Sequence, residues 1–240
     1  MAVCTLNHLF RSVVRGGDQR DLKHPRRLIQ ARADAVEPGC TPGGQFNKMK
    51  IFGAGSEDLF LVERQCRFGP VHLLWKLFRG HPKVFRIFLS RSGETLKDRD
   101  PGLFPPSAHA SCSLIDSVFD GIESFLGGDD VSFSLDIVLL GLYPDFQQKV
   151  LRTEHGIPRG SVSTYKRIAA RVGSRNGARA VGNALARNPF PIIVPCHRAI
   201  RSDGSLGGYQ GGVDMKRTLL EMEGVDFDAG GRVKVAGFYY

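Results

Sequence analysis

The chain has 240 residues, of which 42% are hydrophobic and 24% charged, with 29 Gly and 13 Pro. These proportions exclude a collagenous or wholly disordered chain, and the length allows one large domain or two small ones with a real core. The net charge of +9 gathers at one end: residues 1–60 carry 9 Lys/Arg against 6 Asp/Glu, residues 61–145 carry 9 against 11, and residues 146–240 carry 15 against 7. A basic C-terminal third suits a polyanion such as nucleic acid, although a solvated basic face has the same composition. No apolar run approaches the roughly 18 residues that span a bilayer. Met1–Gly17 lacks the apolar stretch and cleavage pattern of a secretory signal, so the expectation is an intracellular protein, cytoplasmic or nuclear, with no membrane partner. Five cysteines, an odd number without short repeated spacing, argue against a disulfide framework and leave at least one free thiol.

In chain order, residues 1–50 mix Arg-rich patches with Gly and Pro and show no sustained period, which predicts a loosely ordered extension. Residues 51–140 predict a small mixed α/β domain. Val71–Phe78 and Val84–Leu89 form two strands around the turn Arg79-Gly80-His81-Pro82. Ser111–Leu126 places Leu114, Ile115, Val118, Phe119, Ile122 and Phe125 at helical spacing, stopped by Gly127-Gly128. Val131, Phe133, Leu135, Ile137 and Leu139 alternate as one strand would. Residues 141–228 predict a mostly helical domain with helices at Asp145–Glu154, Thr164–Val172 and Asn176–Arg187, and residues 229–240 a tail. The fold class is therefore α/β (α+β). Two short helices separated by Gly173 in the basic third suggest a helix-turn-helix of winged-helix type, a pattern that two short core helices also produce.

The second of these helices carries an apolar stripe, Ala178, Val181 and Leu185, and an opposite face of Arg179, Gly182, Asn183 and Ala186. Short side chains there allow close approach to a nucleic acid backbone or minor groove; tight helix packing would use the same residues. Pro191–Ile200 is an apolar run leading through Pro195 to Cys196-His197-Arg198. The adjacent His197 and Arg198 make the thiol's surroundings electropositive, which favours the nucleophilic thiolate. A structural cysteine that merely neighbours a histidine is the bland alternative.

The segments 157–165 (Ile157-Pro158-Arg159-Gly160 through Tyr165), 178–185 (Ala178-Arg179-Ala180-Val181-Gly182-Asn183), 188–198 (Asn188-Pro189 through Pro195-Cys196-His197-Arg198) and 206–212 (Leu206-Gly207-Gly208-Tyr209-Gln210-Gly211-Gly212) resemble, in this order, the signature of the O6-alkylguanine-DNA alkyltransferases. The resemblance covers about residues 144–225 and implies a suicide DNA-repair methyltransferase with no cofactor. It implies a monomer acting on double-stranded DNA that carries O6-alkylguanine. Cys196 would accept the alkyl group irreversibly, after the base is flipped from the duplex. His197 would take the thiol proton through a bridging water, with Glu223 orienting the imidazole. Tyr165 would donate toward guanine N3, and Asn188 would tie the recognition helix to an active-site strand. The carbonyls of Cys196 and Ala199, beside Arg198, and the loop Tyr209-Gln210-Gly211 would hold the base.

Arg179 would enter the base stack while Gly182, Asn183 and Ala186 let the helix sit close, and Arg175, with Lys166, Arg171 and Arg187, would supply cations for phosphates. Ala199 departs from the Val common in the family, and Gln210 fills a variable loop position. Cys4, His8, His24 and Cys40 lack a zinc-finger spacing, so no metal is expected. The rival functions are a non-catalytic sensor of alkylated bases, which would lack the acceptor cysteine, and a cysteine hydrolase, which would need an oxyanion hole.

Overall fold

The computed structural model describes residues 27–29, 59–91, 111–234 and 236–240. Three antiparallel strands, β2 (Phe60–Cys66), β3 (Gly69–Phe78) and β4 (His81–Phe88), form a meander. Phe78 pairs with His81, leaving Arg79-Gly80 as a two-residue loop. Both loop residues have positive φ, 52° and 79°. This mirror-image turn matches the twist of the flanking strands. The helix α1 (Ser113–Gly127) buries Ile115, Val118, Phe119, Ile122, Phe125 and Leu126 and ends on left-handed Gly128, whose N–H returns to the Phe125 carbonyl.

Two expectations for this half are corrected. Within residues 1–50, Arg27–Ile29 is not loose chain but a strand, β1, paired in parallel with β5 (Val131–Phe133). It packs on α1 where Gly121 has no side chain; a Cβ there would stand 2.9 Å from Ile29 Cγ1. The other residues of that segment, with Cys4, His8, His24 and Cys40, lie outside the described residues. The alternation from Val131 to Leu139 is not one strand. The Ser134 hydroxyl accepts the Asp136 N–H, and the backbone coils into 3-10 turns at Leu135–Ile137 and Leu140–Leu142. Ile137, Val138, Leu139 and Leu140 are all buried, so beyond Phe133 burial no longer alternates as it would along a strand.

In the C-terminal half, α2 (Asp145–His155), α3 (Tyr165–Arg171) and α4 (Ala178–Ala186) pack on one another. Thr164 caps α3, its hydroxyl accepting the Arg167 N–H. The two-residue strands β6 (Ser163–Thr164) and β7 (Ala199–Ile200) pair in parallel, which draws the start of α3 beside the Cys196 segment. Helix α5 (Val213–Met222) and a small ladder of β8 (Asp226–Phe227) and β9 (Val233–Lys234) follow. The expected tail is docked: the Tyr239 N–H donates to the Val162 carbonyl, the Ser163 hydroxyl donates to Tyr239 O, and the Tyr240 hydroxyl donates to Thr153 O at 2.7 Å.

One buried apolar cluster runs from Ile29 and the meander through α1 to Val181, Phe190, Cys196 and Leu219, so the sheet and the helices share a core beneath Cys196. The seam is also hydrogen-bonded: the Ile87 N–H donates to Pro189 O, and the Leu89 N–H to Gln210 Oε1. The chain is thus a mixed helix and strand fold. No described helix is long and apolar enough to cross a membrane.

Candidate active site around Cys196

After α4 the chain does not form the expected strand. Pro191 and Val194 are joined by a single bridge, and between them the backbone turns, with Ile192 at φ 73°. A β-branched residue is rare in that conformation. The strain is held by Asn188, which is buried at the end of α4. Its Nδ2 donates to the Val194 carbonyl at 3.0 Å and to Cys196 Sγ at 3.2 Å, while its Oδ1 accepts the Phe190 N–H. Asn188 therefore ties the helix end to a turn, and it touches the sulfur as well. Cys196–Arg198 forms a short 3-10 turn, all three residues buried.

The His197 ring is fully buried. Its Nε2 stands 3.0 Å from Glu223 Oε1, and its Nδ1 is buried without a hydrogen-bond partner. A carboxylate opposite Nε2 fixes the hydrogen there, which leaves Nδ1 a bare acceptor. Burial pulls the imidazole down from its ordinary range, against the upward pull of Glu223, so the resting ring is neutral. Burial alone would raise Glu223, but His197 and Arg198 outweigh it and bring the carboxylate to about 2.

Arg198 was expected to touch substrate and does not point that way. Its Nε and Nη2 both donate to Glu223, at 2.9 and 2.7 Å to the nearer oxygens, and its Nη1 donates to the Ile157 carbonyl. Arg198 is thus the clamp on the carboxylate that holds the histidine. This also corrects the expected ionisation of Cys196. Burial pushes the thiol up, to about 11, further than the Asn188 hydrogen bond and the Lys216 charge bring it down. Glu154 adds to the upward shift, so the resting sulfur is a thiol; the neighbouring guanidinium is engaged by Glu223.

The half-buried Tyr165 starts α3, and burial, with Glu154 and Cys196, raises its phenol to about 12. Gly207, at φ 71°, packs against this phenol; a Cβ would stand 2.7 Å from Tyr165 Oη. Tyr209 has a buried hydroxyl without a partner. Its ring edge meets His197, with centroids 6.1 Å apart. Gln210 anchors this loop to the end of the meander through the Leu89 N–H, and Gly211 packs against Met215. Ala199 is fully buried, and its carbonyl already accepts a bond from Lys216 Nζ at 2.6 Å.

Lys216 and Glu154 are functional candidates that the sequence reasoning missed. Both are fully buried. Lys216 also donates to the Leu206 carbonyl at 2.6 Å, whereas neither carboxyl oxygen of Glu154 has a partner. The signal was present: each charge sits on the apolar stripe of its helix, Lys216 beside Met215, Leu219 and Leu220, and Glu154 beside Val150 and Leu151. Arg179, Asn183 and Ala186 lie exposed on α4 and Gly182 is half-buried with open space over it, while Arg175 is exposed in the turn before the helix.

The segment that carries this site is similar in sequence to known proteins. Residues 145–225 match the family model described as 6-O-methylguanine DNA methyltransferase, DNA binding domain. Over that segment, about a third of its length, this chain resembles that family. It is similar to the methylated-DNA–protein-cysteine methyltransferase of Methanothermobacter thermautotrophicus, 49% identical over 114 residues, which are 48% of this chain and 64% of the relative. The one from Mycobacterium bovis is 43% identical over 104 residues, 43% of this chain and 62% of that relative. The chain therefore spans just under two thirds of the length of these relatives. The fold also resembles the O6-methylguanine methyltransferase of Mycobacterium tuberculosis, with TM-score 0.51 and 28% identity over 69% of this chain and 92% of that one. The O6-methylguanine-DNA methyltransferase of Pyrococcus kodakaraensis aligns over 70% of this chain and 99% of that one, with TM-score 0.51 and 28% identity. The family's DNA-binding domain thus covers α2 through α5, the segment that holds Cys196, His197 and Glu223.

Proposed function

We propose that this protein repairs DNA by transferring the alkyl group of O6-alkylguanine to its own Cys196, once per molecule. The observation that carries this reading is the buried set Cys196, Asn188, His197 and Glu223, with Nδ1 of the histidine unpartnered and the thiol on the preceding residue. Sulfur forms a bond to the alkyl carbon as the bond from carbon to guanine O6 breaks. The thiol proton passes to His197 Nδ1, through a bridging water as the family resemblance implies, and Glu223 stabilises the imidazolium. Negative charge developing on the purine is met at N3 by the Tyr165 phenol. The thioether product is not open to thiol exchange, so the reaction is stoichiometric.

The partner in this proposal is double-stranded DNA, met by a monomer inside the cell. Helices α3 and α4 would act as the helix-turn-helix. The exposed small face of α4 would approach the minor groove, and Arg179 would fill the space left by the flipped nucleotide. Residues 141–228 would form the DNA-binding and acceptor domain, behind an α/β domain at 51–140.

The test is incubation with duplex DNA bearing a radiolabelled methyl on guanine O6. The expected result is one label per protein molecule, lost in Cys196→Ala. Label that stays on the DNA would instead indicate a sensor, and repeated turnover with release of label would indicate a hydrolase.

A further inference from the structure

Arg159 stands in the loop between α2 and β6 and takes no part in the proposed transfer. Its Nη2 donates to the Gly128 carbonyl at 2.7 Å and to the Met222 carbonyl at 2.9 Å, and its Nη1 donates to the Asp129 carbonyl at 2.9 Å. Gly128 caps the C-terminus of α1, and Met222 is the last residue of α5. Carbonyls at a helix C-terminus have no partner within the helix, and the helix dipole gathers negative charge on them. One guanidinium therefore meets the carbonyl ends of two helices from opposite halves of the chain.

Both helix ends adjoin His197. Phe125, in the last turn of α1, meets the imidazole edge-on with ring centroids 5.7 Å apart. Glu223, the residue after Met222, stands 3.0 Å from Nε2. The loop that carries Arg159 reaches Glu223 in two further ways. The Ile157 carbonyl accepts Nη1 of Arg198, whose Nε and Nη2 bind the carboxylate, and a Cβ on Gly160 would stand 3.1 Å from the Glu223 carbonyl oxygen. Residues 157–160 thus fix where Glu223 stands, and Arg159 fixes it relative to the helix that packs on the imidazole.

Resting on the alkyl-transfer reading, we propose that Arg159 is a positioning residue for His197: by bridging the C-terminal ends of α1 and α5 it holds Phe125 and Glu223 against the imidazole and so fixes the orientation of Nδ1, the atom that takes the thiol proton. A general base contributes only while its accepting atom is aimed at the proton, and a small displacement of its supports is enough to slow the step. The ring is fully buried, so its orientation is decided by the groups packed on it, which are Phe125, Tyr209 and Glu223. A helix of the N-terminal half thereby has a share in chemistry done in the C-terminal half. A phosphate contact, the other duty open to a half-buried arginine in a DNA-binding protein, would act on affinity and leave the chemical step alone.

The test uses the full chain and single-turnover methyl transfer from duplex DNA bearing a radiolabelled methyl on guanine O6, over DNA concentrations that separate the limiting rate from the half-saturating concentration. The proteins compared are wild type, Arg159→Met and Arg159→Lys. The methionine variant is expected to lower the limiting rate about tenfold, to keep the half-saturating concentration within about twofold of wild type, and to shift and weaken the Nε2–H signal of His197 in the proton NMR spectrum. Lysine is expected to recover part of the rate, because Nη2 alone serves both helix ends and one ammonium can stand in for it. A wild-type limiting rate in the methionine variant overturns the proposal, as does a loss confined to the half-saturating concentration, which would make Arg159 a phosphate contact. A slower rate with the histidine signal unmoved, or a lysine variant no faster than the methionine one, overturns it too. Arg159→Gln takes the place of Arg159→Met, with the same expected outcomes, if the latter does not melt cooperatively. Failure of the alkyl-transfer reading would appear separately, as wild-type protein that takes no label, and the histidine signal would then still report whether Arg159 orients the ring.

Discussion

His197 meets Glu223 through Nε2 at 3.0 Å, so its proton-accepting nitrogen is Nδ1, on the edge of the ring away from the carboxylate. The same carboxylate accepts three hydrogen bonds from Arg198. Orientation of the base and neutralisation of the arginine thus depend on one residue. Replacing Glu223 with Gln leaves a buried guanidinium uncompensated. The expected loss of stability is about 3–5 kcal/mol, the usual result of removing one partner of a buried pair, and it is read by urea unfolding. Single-turnover methyl transfer should slow by about 10²-fold, since the imidazole loses both its orientation and the support for its charged form.

The pH dependence of stability follows from the same group. Glu223 titrates at about 2 in the folded chain against an ordinary 4.5. Its contribution is therefore fully present above pH 4.5 and is lost as pH falls toward 2, on the order of 3 kcal/mol in all. His197 adds to the same limb, because its folded value lies below 6.5 and the buried ring resists protonation as the solution turns acid. Urea midpoints measured from pH 7 to pH 2 should fall in these two stages. The lower stage should be absent in Glu223→Gln; a slope equal to that of the wild type would refute the assignment.

Gly207 is the point where the loop 206–212 leans on Tyr165. An alanine there would adopt a disfavoured φ of 71° and press its Cβ within 2.7 Å of the phenol oxygen. Backbone strain of about 1–2 kcal/mol is expected, with displacement of the phenol and a drop of roughly tenfold in transfer from a free alkylguanine to the protein. Gly208→Ala is the control, because its added methyl would meet no atom within 4 Å. Single-turnover rates and thermal melts of the two variants check the contrast.

Arg179 is exposed at the start of α4, on the face with Asn183 and Ala186. Only a duplex requires its stack to be filled. Arg179→Ala is therefore expected to slow repair of duplex DNA by at least about tenfold, the cost of a few kcal/mol of unstacking left uncompensated, while reaction with the free modified base stays near the wild-type rate. Equal losses on both substrates would remove the finger role from this residue.

Where local pattern governs, the sequence was sufficient. The stripe from Ile115 to Leu126, its stop at Gly127-Gly128 and the helices expected at Thr164–Val172 and Asn176–Arg187 depend on neighbours within one or two helical turns, and each element lies within a few residues of its expected place. The proposed acceptor was suggested by the sequence because Pro195-Cys196-His197-Arg198 stands in order with the other segments that resemble the family. What the sequence could not supply were contacts between residues far apart in the chain. Strand β1 exists because Val131–Phe133 offers it an edge and Gly121 leaves it room, about a hundred residues away. Arg198 looked like a pocket cation, and only the approach of Glu223, 25 positions later, turned it inward, while burial left Cys196 a thiol. Charge in a sequence is a count; its effect depends on burial and on the opposite charge nearest in space, and both are set by the tertiary fold.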